Sequence, residues 1–199
     1  MKKIFLKILS FCLSISFLFS ISACSQKNAE ANLVKNSKLE DSTYALGDFM
    51  GDYTVTDING KTHTFSEILK EKKAIVLNFW FINCGPCQME FPYLQKAANM
   101  YSDDVAVIAI NPVDEKDDDI KKYASQNNLT FPVVKGEDAW INAFSIQGFP
   151  TTIVIDRYGC VAFSHMGSIT EEGLFEEIFE FFTNDKYNKT TIKMTSDFE

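Results

Sequence analysis

The chain has 199 residues, 46% of them hydrophobic and 14% aromatic, with 27 acidic against 19 basic side chains and a formal charge of −8. An acidic chain without a basic stripe is a poor match for nucleic-acid phosphate or anionic headgroups, so nucleic acid is set aside as a partner. The apolar content suffices for one core, and the length for one domain once both ends are trimmed.

The amino terminus reads as a targeting segment. Lys2, Lys3 and Lys7 make a basic start, and residues 8–21 are almost wholly Leu, Ile, Phe and Ser. That length suits the apolar region of a secretory signal better than a membrane span. Ile21-Ser22-Ala23-Cys24 follows and resembles the lipobox of bacterial lipoproteins, which implies cleavage before Cys24 and lipidation of that cysteine. The alternatives are an ordinary signal peptide cut at a small residue or an uncleaved helix; in each case the product is exported. Residues 1–23 are therefore assigned to a signal peptide, whose removal moves the formal charge from −8 to −11 because it holds three lysines and no acid. One acyl chain holds a protein only weakly at a bilayer, so durable anchoring would need the several chains of a bacterial lipoprotein. Residues 24–43 are polar and lack apolar periodicity, as a lipid-anchored flexible tether would, and residues 184–199 read as a loose C-terminal tail.

Residues 44–183 are read as the folded domain. Tyr53-Thr54-Val55-Thr56 and Lys61-Thr62-His63 flank Asn59-Gly60, which favours positive φ and predicts a small hairpin. Ser66 is expected to cap a short helix through about Lys70. Residues 74–79 are a continuous apolar run that predicts a buried central strand. After the cysteine pair, Met89, Leu94, Ala97, Ala98 and Tyr101 fit a helix broken or bent at Pro92. A second strand over 105–110 and a helix over 117–126, with Ile120 and Tyr123 inward, complete a βαβ unit with a parallel strand pair. Residues 131–134 read as a short extended piece and 139–144 as one or two helical turns. Residues 152–156 and 160–165 predict an antiparallel hairpin around Arg157-Tyr158-Gly159. Thr170, followed by Glu171 and Glu172, is expected to cap a last helix whose apolar side carries Leu174, Phe175, Ile178, Phe179 and Phe182.

Cys84-Gly85-Pro86-Cys87 sits between the central strand and the following helix. Two thiols with two residues between them can exchange a mixed disulfide for an internal one. A helix N-terminus favours thiolate over thiol, so Cys84 is the expected exposed nucleophile and Cys87, one turn further in, the resolving thiol. Pro86 lacks an N–H, and with Gly85 it limits which backbone donors reach the thiolate. A zinc site would need a second ligand pair, but beyond this motif, Cys12 of the signal segment and the lipidation candidate Cys24 the chain offers only Cys160, His63 and His165. Covalent haem attachment needs a histidine after the second cysteine, where Gln88 stands. No metal or cofactor is therefore expected beyond the redox-active disulfide Cys84–Cys87. Cys160 reads as a third redox thiol, an intermolecular disulfide partner or, as favoured here, a small strand residue, and His165 as a surface histidine.

Asn78-Phe79-Trp80, the cysteine motif, Glu90-Phe91-Pro92 and Gly148-Phe149-Pro150-Thr151-Thr152 together resemble the thioredoxin superfamily, and within it the membrane-anchored TlpA/ResA-like branch. The resemblance implies an α/β domain of thioredoxin-like fold, a central mixed sheet flanked by helices, with an added N-terminal β-hairpin. It implies a cis proline at Pro150 that offers backbone groups to an extended substrate, and a carboxylate at Glu90 that assists proton transfer; a solvated helix-face glutamate is the plainer reading of Glu90. Asn78 stands where cytosolic thioredoxins carry a buried aspartate, so Glu90 would have to take that role. Asn83, in place of an aromatic, and the bulky Phe149 both flank the expected groove. Trp80 is either an aromatic wall of that groove or simple core packing.

The function expected from these residues is reduction of disulfides in exported proteins, of apocytochrome or repair-enzyme type, with a membrane electron-transfer protein as redox donor and the lipid anchor holding the enzyme at the outer face of the cell membrane. The competing readings are an oxidant that introduces disulfides, a copper-binding chaperone using the two cysteines and His165, and a thiol peroxidase.

Overall fold

The computed structural model describes residues 43–186 together with Leu39; the expected signal segment, Cys24, most of the tether and most of the tail lie outside the described residues. The expected hairpin forms from β1 (Thr54–Thr56) and β2 (Thr62–Thr64), paired antiparallel with Val55 opposite His63. Asp57 ties the turn: Oδ1 accepts the Asn59 and Lys61 amides at 2.8 and 3.1 Å, and Oδ2 lies 2.8 Å from His63 Nε2. Gly60 takes a φ of 84°, which a side chain would oppose. Helix α1 (Phe65–Glu71) is not capped by Ser66. Its N-cap is Thr64, whose side chain makes no capping bond, and Ser66 gives its amide and hydroxyl to Asp52, fourteen residues upstream, at 3.0 and 2.8 Å. The carboxylate of another loop thus does the work that a local cap was expected to do.

A mixed sheet carries the domain. Strands β3 (Ala74–Phe79), β4 (Val105–Asn111), β5 (Val133–Lys135), β6 (Thr151–Asp156) and β7 (Val161–Met166) lie in the order β5-β4-β3-β6-β7. β3 runs parallel to β4, which runs parallel to β5, whereas β6 and β7 are antiparallel additions on the other side. All six residues of β3 are buried, as a central strand covered on both faces requires, and Asn78 is its one polar residue. Alternate residues feed two cores. Ala74 and Val76 pack under α2 (Gly85–Met100), α3 (Asp117–Gln126) and α5 (Leu174–Thr183), whereas Ile75, Leu77 and Phe79 face the hairpin side with α1 and α4 (Asp138–Ala143).

Two further expectations are corrected. Of the break or bend expected at Pro92, the break is not found: α2 runs through it to Met100, with Pro92 on the exposed side while Phe91, Leu94, Ala97 and Ala98 are buried beneath. Thr170 does not cap the last helix. α5 starts only at Leu174, after Gly173 at a φ of 90°, because the Ile169 amide is drawn inward to a buried carboxylate and holds the chain out of helix until the glycine.

Candidate active site

β3 delivers the chain from the middle of the sheet into a short loop, and α2 begins immediately after it. Cys84 is the N-cap of α2, its extended backbone (φ −82°, ψ 98°) turning the side chain back over the first turn, where Sγ accepts the Cys87 amide at 3.1 Å. Pro86 lies in that first turn, where a missing N–H costs nothing. Cys84 and Cys87 are joined as a disulfide with Cα atoms 5.2 Å apart. The expected exposure of Cys84 is not found in this form: it is 3% exposed and Cys87 1%. The N-cap turn and the bond to Cys87 pull the sulfur inward, leaving Asn83, Gly85 and Pro86 as the exposed residues around it.

Glu90 is the buried acid of the site. It is 0% exposed, so the reading of a solvated helix-face glutamate is overturned. Its Oε1 accepts from Asn78 Nδ2 at 2.7 Å and its Oε2 from the Ile169 amide at 2.7 Å. Asn78 Nδ2 also reaches Thr152 Oγ1 at 3.1 Å, across the β3–β6 pair. Burial pushes the Glu90 carboxyl up to about 7, against the pull of those two donors toward the charged form. A carboxyl poised near neutrality, one helical turn from Cys87, can take and return a proton at ordinary pH.

Trp80 does not wall a groove. It is fully buried, edge-on to Phe91 at 5.1 Å between ring centroids and 5.0 Å from Tyr123, so it belongs to the core beneath the disulfide. The Phe149–Pro150 bond is cis. Pro150 is buried and its carbonyl already accepts the Gly167 amide at 2.9 Å, so among the described residues the backbone groups left to a substrate at this bend are those of Phe149. The half-buried Phe149 ring meets Phe81 edge-on at 5.4 Å and links the bend to the loop before Cys84.

Three contributors carry no local signature: Phe81, the Ile169 amide and Glu115. The Glu115 carboxylate accepts the Ile82 amide at 3.0 and 3.2 Å and Asn111 Nδ2 at 2.6 Å, clamping the loop that leads into Cys84. Beside it opens a surface cleft of about 490 Å³ lined by Ile82, Asn83, Glu115, Lys122 and Tyr123, among others. Among the described residues no cluster of three or more His, Cys, Asp or Glu side chains is placed to hold a metal ion. Cys160 is fully buried just before β7, its amide donating to Asp156 Oδ1 at 3.0 Å.

A mixed five-stranded sheet, a cysteine pair at a helix N-terminus and a cis proline at the neighbouring strand end define a thioredoxin-like thiol–disulfide oxidoreductase. Residues 46–164 match the AhpC/TSA family, and the chain belongs to it. It is 34% identical over 137 residues to the thiol-disulfide oxidoreductase ResA of Geobacillus kaustophilus, covering 68% of this chain and 77% of that protein. Among solved structures, StoA from Bacillus subtilis superposes with a TM-score of 0.54 at 24% identity, over 67% of this chain and 97% of that one. A thiol:disulfide interchange protein from Chlorobium tepidum gives 0.58 at 24% identity, over 75% and 100%. Both share the fold.

Proposed function

We propose that this protein is an exported, lipid-anchored dithiol–disulfide exchanger whose Cys84-Gly85-Pro86-Cys87 centre reduces disulfides in exported polypeptides. The observation that carries the reading is the stacking of three groups on the first turns of α2: Cys84 at the N-cap, Cys87 behind it, and the buried, near-neutral Glu90 one turn beyond.

In the dithiol form the amides and dipole of the helix N-terminus favour the Cys84 thiolate. It attacks one sulfur of a substrate disulfide, forming a Cys84–substrate bond while the other substrate sulfur leaves as a thiolate and is protonated. The Glu90 carboxylate takes the Cys87 proton, and the Cys87 thiolate attacks Cys84 Sγ, closing the internal disulfide and expelling the second substrate sulfur. Two electrons have then passed from the cysteine pair to the substrate. A membrane electron-transfer protein would return two electrons to reopen the pair. The Phe149 backbone would pair with an extended substrate, flanked by Asn83 and Pro86. Lipidation of Cys24 would place the enzyme on the extracytoplasmic side of the cell membrane, at reach of proteins emerging from export.

The test is a Cys87→Ser variant expressed in the native envelope. It is expected to accumulate mixed disulfides through Cys84, and the trapped proteins name the substrates. Absence of adducts while Cys84 still reacts with a small disulfide would overturn the reading. Direction is tested separately: a reduction potential well above about −200 mV would make the protein a donor of disulfides rather than a reductant.

A further inference from the structure

Glu90 holds its charge through a single side chain, that of Asn78, and Asn78 is bonded at one end only. Nδ2 donates to both Glu90 Oε1 and Thr152 Oγ1, while Oδ1 is buried without a hydrogen-bond partner. That arrangement suits a charged acceptor, and it leaves a buried carbonyl oxygen uncompensated. Protonation of Glu90 reverses the demand. The Ile169 amide keeps Oε2 as an acceptor, so the proton of the neutral acid sits on Oε1 and faces Asn78. Two donors would then meet across the same short contact.

Asn78 can resolve this clash without moving its backbone. The two ends of a carboxamide are alike in size, and the Thr152 hydroxyl can donate as readily as it accepts. A turn of the amide end for end presents Oδ1 to the Glu90 O–H and to the Thr152 O–H together, so the oxygen gains partners when the acid is neutral and Nδ2 becomes the unpaired end in its place.

We propose that Asn78 is a positioning residue for proton transfer at Glu90, holding the carboxylate through Nδ2 and, after the amide turns, the carboxylic acid through Oδ1. This rests on the reading of Glu90 as proton acceptor for Cys87. The surroundings leave few rivals for the role. α2 contributes Cys84 and Cys87 beside Glu90, β3 and β6 contribute the neutral Asn78 and Thr152, and the segment before α5 contributes the Ile169 amide. His165, half-buried opposite Thr152 on β7, is the ionisable residue of that row, and Lys96 further along α2 is engaged with Glu172 and Glu176.

The experiment follows the carboxyl C=O stretch of Glu90 by infrared pH titration of the oxidised protein, where neither active-site thiol titrates, with the band assigned by its loss in Glu90→Gln. Asn78→Leu takes a charge-assisted bond from the carboxylate and only a weaker, neutral one from the acid, so the midpoint is expected to rise by about one pH unit. Asn78→Asp keeps the size of the side chain and guards against a misfolded Leu variant. There two adjoining carboxyls share one proton, and the titration is expected to split into two midpoints that bracket that of the unmodified protein. A midpoint unmoved in folded Asn78→Leu, or a single unshifted one in Asn78→Asp, overturns the proposal. The pH profile of mixed-disulfide resolution is read separately: indifference of that step to Glu90→Gln would overturn the proton-acceptor reading itself, whatever the infrared shift.

Discussion

The two faces of the central sheet are made from the same strands, residue by alternate residue, yet they do different work. On the hairpin side, Tyr53, Phe65, Phe79, Trp140 and Phe144 form a continuous set of rings with centroids 5.8 to 6.5 Å apart, Trp140 and Phe144 stacked at 6.1 Å. Polar groups there stay at the rim, where the Tyr44 hydroxyl meets Tyr53 at 2.6 Å and the Met50 carbonyl at 2.8 Å. On the α2 side, an acid, an amide and a hydroxyl are buried in the middle of the layer. A carboxyl that ionises near neutrality in an apolar layer destabilises the fold that contains it. The aromatic face lets the same sheet carry that burden.

The largest effect that would break this division is Phe65→Ala. Phe65 is 1% exposed and anchors α1 on the aromatic layer, so its loss is expected to cost about 3–5 kcal/mol in denaturant unfolding. The reactivity of the Cys84–Cys87 centre in the remaining folded protein should be unchanged. A small cost, or an altered exchange rate, would mean that the two faces are not separable.

Glu90→Gln tests the other face through pH. The unfolded chain gives up this proton from about 4.5, whereas the folded protein keeps it to about 7. Between those values the folded state binds more protons, so wild-type stability falls as pH rises, by about 3 kcal/mol in all, and the loss is complete above about 7. Glutamine has no such proton and should remove that fall. Unfolding measured across this range in both proteins isolates the residue, because other titrations cancel in the difference. An identical pH slope in the two would show that Glu90 titrates normally.

What could be read in advance divides along the same line. The apolar run 74–79, the alternation in 152–156 and the strand-to-helix step at Cys84 are local patterns, and they yielded the sheet, its mixed pairing and the place of the cysteine pair. Glu90 was identified only by resemblance, since nothing near it in sequence shows that Asn78 and Ile169, twelve residues before it and seventy-nine after, would bury and pair it. The failed caps share that cause. Ser66 answers to Asp52 and Ile169, the residue just before Thr170, to Glu90, partners set by tertiary folding rather than by neighbours. Trp80 was ambiguous because an aromatic beside a reactive motif looks alike whether it faces the groove or the core.

Glu115 tests whether the site face depends on its loop as much as on its core. Its carboxylate fixes the Ile82 amide and Asn111 from a half-exposed position, so Glu115→Gln, which turns an N–H toward one of those donors, should cost about 1 kcal/mol. Reaction of the reduced protein with a small disulfide should slow, since Ile82 leads directly into Cys84. An unaltered rate would mean that α2 alone positions the sulfur.

The smallest effect belongs to the aromatic face. Lys70 and Glu67 pair at 2.5 Å on the outer surface of α1, each with 65% of its side chain exposed. Solvent screens such a pair, and two long side chains lose freedom in making it, so Lys70→Ala should change stability by no more than about 0.5 kcal/mol. Set beside Phe65→Ala on the same helix, this asks what holds α1 to the sheet. If the two losses were comparable, the helix would be held by its charges, and the rings beneath could not be what offsets the buried acid on the opposite face.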